Sequence, residues 1–91
     1  QIVLAHPYNE RPHGHWNTLE LICWKNHALH LVNGQINMVV LNSGYLDEEG
    51  NFRPLSSGRL TLQSEGAEIF FKDIAYRELG EIPKALRPYL P

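Results

Sequence analysis

The 91-residue sequence lacks several features that would identify a class of function. Cys23 is its single cysteine, so no disulfide can form within the chain. No apolar run approaches the roughly 20 residues that a membrane-spanning helix needs, and no membrane span is expected. The net charge is −2 without a basic cluster, which argues against nucleic acid as a partner. The absence of a Gly-rich phosphate loop, a zinc-type Cys/His spacing and a Gly-x-Ser-x-Gly elbow argues against nucleotide-dependent chemistry and serine hydrolases.

What is present is the composition of one folded domain, with 43% hydrophobic and 20% charged residues. Cys23 lies in an apolar run, which predicts a buried thiol. The chain begins inside an apparent strand and without an initiator Met, so we expect a piece of a longer protein.

Turn residues between alternating apolar segments predict an all-β chain, an antiparallel β-sandwich. Loops are expected over 6–15 and 43–57, where prolines and glycines interrupt the pattern. Residues 80–91 contain three prolines and are expected to form a Pro-rich tail with one helical turn near residues 84–86. The predicted strands are 1–5, 16–24, 28–32, 35–42, 58–63 and 67–76.

The dipeptide Asn33-Gly34 lies between two apolar runs and predicts a two-residue hairpin turn. Such a turn pairs His30 with Asn37 and creates one apolar face, which comprises Leu29, Leu31, Ile36, Met38 and Val40. A three-residue turn at 25–27 would add Leu19, Leu21 and Cys23 to that face. We favour this turn because a two-residue turn would bury the carboxylate of Glu20 among leucines. Leu60, Leu62, Ile69 and Phe71 are expected to extend the core.

The opposite face is then expected to mix acids, bases, amides and aromatic rings. Sugar sites need this mixture, because hydroxyls require directed hydrogen bonds and pyranose rings stack on aromatic faces. The simpler alternative is a solvated outer sheet face. The predicted members are Thr18, Glu20, Ile22, Trp24, His30, Val32, Asn37, Arg59, Thr61, Gln63, Glu68, Phe70 and Lys72.

Two residues are candidates for proton transfer. His30 on the mixed face suits a general base, although a hydrogen-bonded structural histidine is the commoner case. Glu65, beside Gly66 in a turn, can point into a groove at the sheet rim or remain a solvated turn charge. His13 and His15 flank a glycine and can supply metal ligands, but exposure in a loop is the more usual role of such a pair.

Five segments in order resemble the 3-keto-disaccharide hydrolase family. They carry Trp16-Asn17, Asn33-Gly34 and Leu62-Gln63, and the resemblance spans residues 9–79. It implies a concanavalin A-like, or jelly-roll, β-sandwich of which residues 1–79 are the C-terminal portion, about half. Two pairs of residues depart from the family pattern. Ser64-Glu65 stands where many family members have Asp-His, and Lys72-Asp73 stands where the usual pair is Arg-Asn. The matching segments are residues 9–12, 14–20, 32–34, 58–66 and 71–74.

The resemblance implies a hydrolase or lyase that acts on (3-keto-)glycosides. It also implies a periplasmic or secreted protein, in which this chain needs the N-terminal half of its domain or another chain. His30 or Glu65 would be the base, Trp24 a stacking wall, and a divalent metal ion a suitable electrophile. Alternatives are a non-catalytic carbohydrate-binding module and a structural domain without a ligand. The expected contacts to substrate hydroxyls or the oxyanion are Asn37, Arg59, Gln63 and Lys72.

Overall fold

The computed structural model describes residues 1–5, 8–64 and 66–91 and is nearly all β. A four-stranded antiparallel sheet has the order β1-β4-β3-β2, and β5 and β6 form a separate two-stranded sheet. This confirms the all-β class, while the jelly-roll arrangement stays a prediction. No helix in the described part of the chain has the length and apolarity to cross a membrane. The elements are β1 (Ile2–Ala5), β2 (Leu19–Trp24), β3 (His27–Val32), β4 (Gln35–Val40), β5 (Gly44–Leu46), β6 (Phe52–Pro54) and a 3₁₀-helix (Lys84–Tyr89).

The Asn33-Gly34 hairpin turn is confirmed. Both residues have positive φ, +51° and +79°, as this turn requires. Next to the turn, Leu31 pairs with Ile36 as predicted.

Beyond that pair, a β-bulge at Asn37 changes the register. His30 lies opposite Met38 instead of Asn37, and Leu29 lies opposite Val39 instead of Met38. A bulge adds one residue to a strand, so the alternation of faces shifts by one position after it. The predictions that Met38 and Val40 share the leucine face were therefore wrong; Val39, only 2% exposed, takes that place.

The turn between β2 and β3 has two residues, Lys25 and Asn26, because Trp24 pairs with His27. The predicted three-residue turn was wrong. The Asn26 side chain donates to the carbonyl of Ser43 at 3.2 Å, and the Ser43 N–H donates to the Asn26 carbonyl at 2.9 Å. These bonds hold a turn in which Lys25 adopts a φ of +54°.

The observed register pairs Glu20 with Leu31, the arrangement that the burial argument had rejected. In this register Glu20 remains exposed, because it lies near the beginning of β2, an edge strand. Leu19 and Leu21 consequently lie on the face away from the leucine core and are 64% and 42% exposed. Cys23 is exposed as well, contrary to the predicted buried thiol.

The core consists of Leu29, Leu31 and Val39 on one face of the sheet. Leu86 and Leu90 from the C-terminal segment pack against it, and nearby Ile82 is buried. The predicted helical turn is present and runs over Lys84–Tyr89, whereas the domain boundary at residue 79 stays a prediction. An apolar groove of about 450 Å³ between this segment and the sheet is lined by Val3, Val39, Leu41, Pro88, Tyr89, Leu90 and Pro91.

The predicted strands at 58–63 and 67–76 are absent from the described residues. No ladder joins these segments to the described strands, and a strand without a neighbour leaves its backbone groups unpaired. The expected core residues there are exposed instead, by 44–67%: Leu60, Leu62, Ile69 and Phe71.

A short hairpin, β5–β6, occupies part of the predicted connection over 43–57. Asp47 organises its loop: its carboxylate accepts the N–H groups of Glu49 and Asn51, and the Arg53 Nε–H, each at 2.9 Å. These hydrogen bonds lower the pKa of Asp47. The bond from the Asn51 backbone N–H has the largest effect, and the bond from the Arg53 side chain has the next largest. Gly44 is required in β5 because a β-carbon there would collide with the backbone carbonyl of Arg53 and with the Phe52 ring.

Candidate functional site

The observed register places His30 and Trp24 on opposite faces of the sheet. His30 pairs with Leu21 and Met38, whereas Trp24 pairs with His27. Directly opposed residues project to the same side, whereas successive residues along β3 project to opposite sides. The prediction that His30 and Trp24 share one face of the sheet was therefore wrong. Their predicted chemical roles stay predictions.

The side of the sheet around His30 is more apolar than predicted. Leu19, Leu21 and Val32 share it, since Leu21 lies opposite His30 and Leu19 opposite Val32. His30 itself is half-buried, and within the described residues its imidazole makes no hydrogen bond or ion pair. His30 therefore lies among hydrocarbon side chains on this side of the sheet.

Asn37 forms the bulge and is half-buried. It directly precedes Met38, which lies opposite His30, so Asn37 is one position away from its predicted place.

The remaining predicted contacts do not lie in strands. Arg59, Gln63 and Lys72 belong to exposed, irregular segments, and Glu65 lies outside the described residues. The structure does not bring Arg59 or Gln63 onto the sheet beside His30. Lys72 instead has its Nζ 4.1 Å from the centroid of the Trp16 ring.

Three asparagines, Asn9, Asn17 and Asn33, form a network that connects the first loop to the hairpin turn. Asn33 Nδ2 donates to the carbonyl of Asn9 at 2.9 Å and to Oδ1 of Asn17 at 2.8 Å. Asn33 Oδ1 accepts the N–H of Thr18 at 2.9 Å, and the Asn33 N–H donates to the Thr18 carbonyl at 2.8 Å. The same hairpin turn that sets the strand register thus also positions this loop.

The asparagine network continues into Arg11 and Trp16. The Arg11 N–H donates to Oδ1 of Asn17 at 2.8 Å, and its Nη1 donates to the carbonyl of Trp16 at 3.3 Å. Trp16 is 50% exposed on this fixed loop. Sequence reasoning did not assign Trp16 to the site, although Trp16-Asn17 and Asn33-Gly34 were among the segments that suggested the family.

His27 is a second histidine that the sequence analysis had placed in a turn. It begins β3, is 8% exposed, and accepts the Asn42 N–H on Nδ1 at 3.1 Å. Because Nδ1 is the acceptor, the neutral ring carries its proton on Nε2. This bond gives His27 a structural role at the junction between β4 and β5.

The described residues do not fit a metal site. Across residues 1–5, 8–64 and 66–91, no group of three or more His, Cys, Asp or Glu side chains is placed to hold a metal ion. His13 and His15 are both exposed in their loop.

Among the described residues, the antiparallel sheet thus carries a half-buried imidazole without a polar partner, next to a loop that amide hydrogen bonds fix to the hairpin turn. The model of the 3-keto-alpha-glucoside-1,2-lyase-like domain matches residues 2–77, and the chain belongs to that family. This confirms the resemblance, whereas its restriction to the C-terminal half stays a prediction. No curated protein and no solved structure gives a significant match to the chain.

Proposed function

We propose that this chain forms part of a domain that cleaves 3-keto-α-glucosides by β-elimination, with His30 as the general base. One observation carries the proposal within this family: the half-buried His30 imidazole has no hydrogen-bond or ion-pair partner among the described residues. A base must have a nitrogen free to accept a proton, and the imidazole provides one.

The chemistry needs one base and one acid. The carbonyl at C3 acidifies the proton on C2, which His30 removes. The C2–H electrons form the C1=C2 double bond, and the C1–O bond breaks with its electron pair going to the departing oxygen. That oxygen takes a proton and leaves as an alcohol, so the products are an unsaturated 3-keto sugar and the aglycone. Addition of water across the double bond would make the overall reaction a hydrolysis.

Groups that stabilise the enediolate are also part of the proposal. We assign contacts to the sugar hydroxyls and the oxyanion to four side chains. One is Asn37, which directly precedes Met38, the residue paired with His30. The others are Arg59, Gln63 and Lys72 from residues 58–72. Glu65 is the alternative base. For these side chains to meet His30, residues 58–76 must lie over the His30 face of the sheet.

Exposed apolar side chains support such a second layer. Leu19 on the His30 side of the sheet and Phe70 in the irregular segment are 64% and 70% exposed. Large apolar surfaces of this kind are typical of interfaces. We assign the missing layer to the N-terminal half of the domain or to another chain, and the protein to the periplasm or the secreted fraction.

The test uses the full-length protein with p-nitrophenyl 3-keto-α-D-glucopyranoside and its unoxidised parent. We expect release of p-nitrophenol from the keto sugar alone, with a rate that falls when C2 carries deuterium. His30→Ala should lower kcat at least about 100-fold. His13→Ala, which changes an exposed loop histidine, is the matched control and should retain full activity.

Each other result has a definite meaning. Full activity of His30→Ala combined with loss in Glu65→Gln would move the base to Glu65. Binding of both sugars without turnover would indicate a non-catalytic carbohydrate module and overturn the proposed reaction. Absence of both binding and turnover would overturn the carbohydrate function.

A further inference from the structure

We infer that the side of the sheet around His30 binds the aglycone, the group attached at C1 of the sugar, and that this aglycone is a hydrocarbon group and not a second sugar. The binding surface is the His30 row, which consists of Leu21, His30 and Met38 side by side on β2, β3 and β4. This substrate class rests on the proposed function, because the row contains the proposed base.

The His30 row places hydrocarbon on both sides of the imidazole. Leu21 lies directly opposite His30 on β2, and Met38 lies directly opposite it on β4. Directly opposed residues have β-carbons about 4.5–5.5 Å apart. The aglycone is attached at C1, the carbon next to C2, so it must lie close to an imidazole that removes the proton of C2. An aglycone that touches the sheet therefore contacts Leu21 or Met38.

The sheet offers this part of the substrate few hydrogen-bonding partners. Six more residues of the described strands β2, β3 and β4 project to the same side of the sheet, and among them Gln35, beside the hairpin turn, is the one with an amide. A second sugar would exchange hydrogen bonds to water for contacts with hydrocarbon, which is unfavourable. A hydrocarbon aglycone is stabilised by the same contacts, because apolar surface leaves water. The six residues are Leu19, Cys23, Ala28, Val32, Gln35 and Val40.

Leu21 has surface that a ligand can cover. It is 42% exposed, whereas Leu29 on the other side of the sheet is completely buried. Met38 is half-buried. The hydroxyls of the sugar ring are already assigned to Asn37 and to residues 58–72, which leaves the hydrocarbon of the sheet for the aglycone. Leu21 is therefore the residue that we expect to determine the preference.

The experiment measures the binding of two unoxidised glucosides to the full-length protein by calorimetry. Cyclohexyl α-D-glucopyranoside carries a hydrocarbon aglycone, and methyl α-maltoside carries a second sugar in the same position. Neither compound can undergo the elimination, because neither has a carbonyl at C3. We expect the cyclohexyl glucoside to bind about tenfold more tightly.

Substitutions then locate the preference. Leu21→Thr keeps a residue that suits a strand and should lower the preference at least threefold, on the order of what burial of part of a leucine contributes. Met38→Thr tests the other end of the row, and Leu21→Ile should retain the preference. Leu46→Thr is the matched control, because Leu46 is 70% exposed on β5 in the separate two-stranded sheet, and it should bind like the wild type.

The 3-keto derivatives of the two glucosides show whether the preference extends to the reaction. Cyclohexanol is a poorer leaving group than a sugar hydroxyl, so intrinsic reactivity favours the disaccharide. A higher kcat/KM for the cyclohexyl compound would therefore report stabilisation by the protein, and it would support the hydrocarbon subsite.

The remaining outcomes distinguish the subsite from the reaction. Tighter binding of methyl α-maltoside, or an unchanged preference in both Leu21→Thr and Met38→Thr, would overturn the hydrocarbon subsite. Cleavage of the keto sugars that still depends on His30 would then leave the proposed function standing. A preference that Leu21→Thr removes, in a protein that cleaves neither keto compound, would support the subsite and overturn the reaction.

Discussion

The side-chain amide of Asn33 donates a hydrogen bond to the side-chain oxygen of Asn17 at 2.8 Å, across a sequence separation of 16 residues. This bond connects the hairpin turn to the loop that presents Trp16. We expect Asn33→Ala to destabilise the fold by about 1–3 kcal/mol, because it removes several bonds and places alanine at positive φ. Urea denaturation measures the change. Asn33→Gly, which tolerates positive φ, separates the two causes: a wild-type midpoint in this variant would contradict a structural role for the side-chain bonds.

A second prediction concerns the buried His27. His27→Leu leaves the Asn42 N–H without its acceptor, so we expect a loss of about 1–3 kcal/mol in the free energy of unfolding. His27→Asn is the matched variant, because its side-chain oxygen can occupy the position of Nδ1 and should retain part of that stability. Equal denaturation midpoints for the two variants would mean that the hydrogen bond contributes nothing measurable.

A third prediction compares two leucines of opposite exposure. Leu29 is completely buried, and Leu29→Ala should cost about 2–5 kcal/mol because it leaves a cavity in the core. Leu60 is 67% exposed, and Leu60→Ala should change stability by less than about 0.5 kcal/mol. Thermal denaturation of the full-length protein measures both. A large cost at Leu60 would mean that the segment around it packs in solution.

A fourth prediction concerns acid. The pKa of Asp47 is lower in the folded than in the unfolded state, so its contribution to stability is present above the unfolded value and is lost as the pH falls through the folded value. We expect Asp47→Asn to be less stable than the wild type at neutral pH, and the difference to shrink below about pH 4. Denaturation midpoints of both proteins across this range test the sign. A difference that is independent of pH would assign the effect to the loop hydrogen bonds alone.

The conformation of a turn could be predicted where its residues strongly favour one backbone conformation. Asn33-Gly34 demands positive φ at both positions, and the sequence located the hairpin and its first two pairs correctly. Lys25-Asn26 carries no comparable signal, since lysine at positive φ is uncommon and the bonds that hold this turn come from Ser43, far along the chain. The bulge at Asn37 likewise had no signal in the sequence.

The faces of β2 were mispredicted for a different reason. Burial of a carboxylate is expensive in the middle of a sheet, which is the position that the sequence pattern predicted for Glu20. Strand order decides that question, and β2 lies at an edge. The predicted site is therefore divided: His30 and Trp24 lie on opposite faces of the sheet, and the described residues of 58–76 form no strand.

The bulge at Asn37 has a practical consequence for protein engineering. Positions on β4 up to Ile36 can be sorted into inward and outward by counting from the turn, but from Met38 onward the parity is reversed. A library that randomises Met38 and Val40 to redesign the interior would diversify the wrong surface, whereas Val39 and Leu41 are the interior positions to vary.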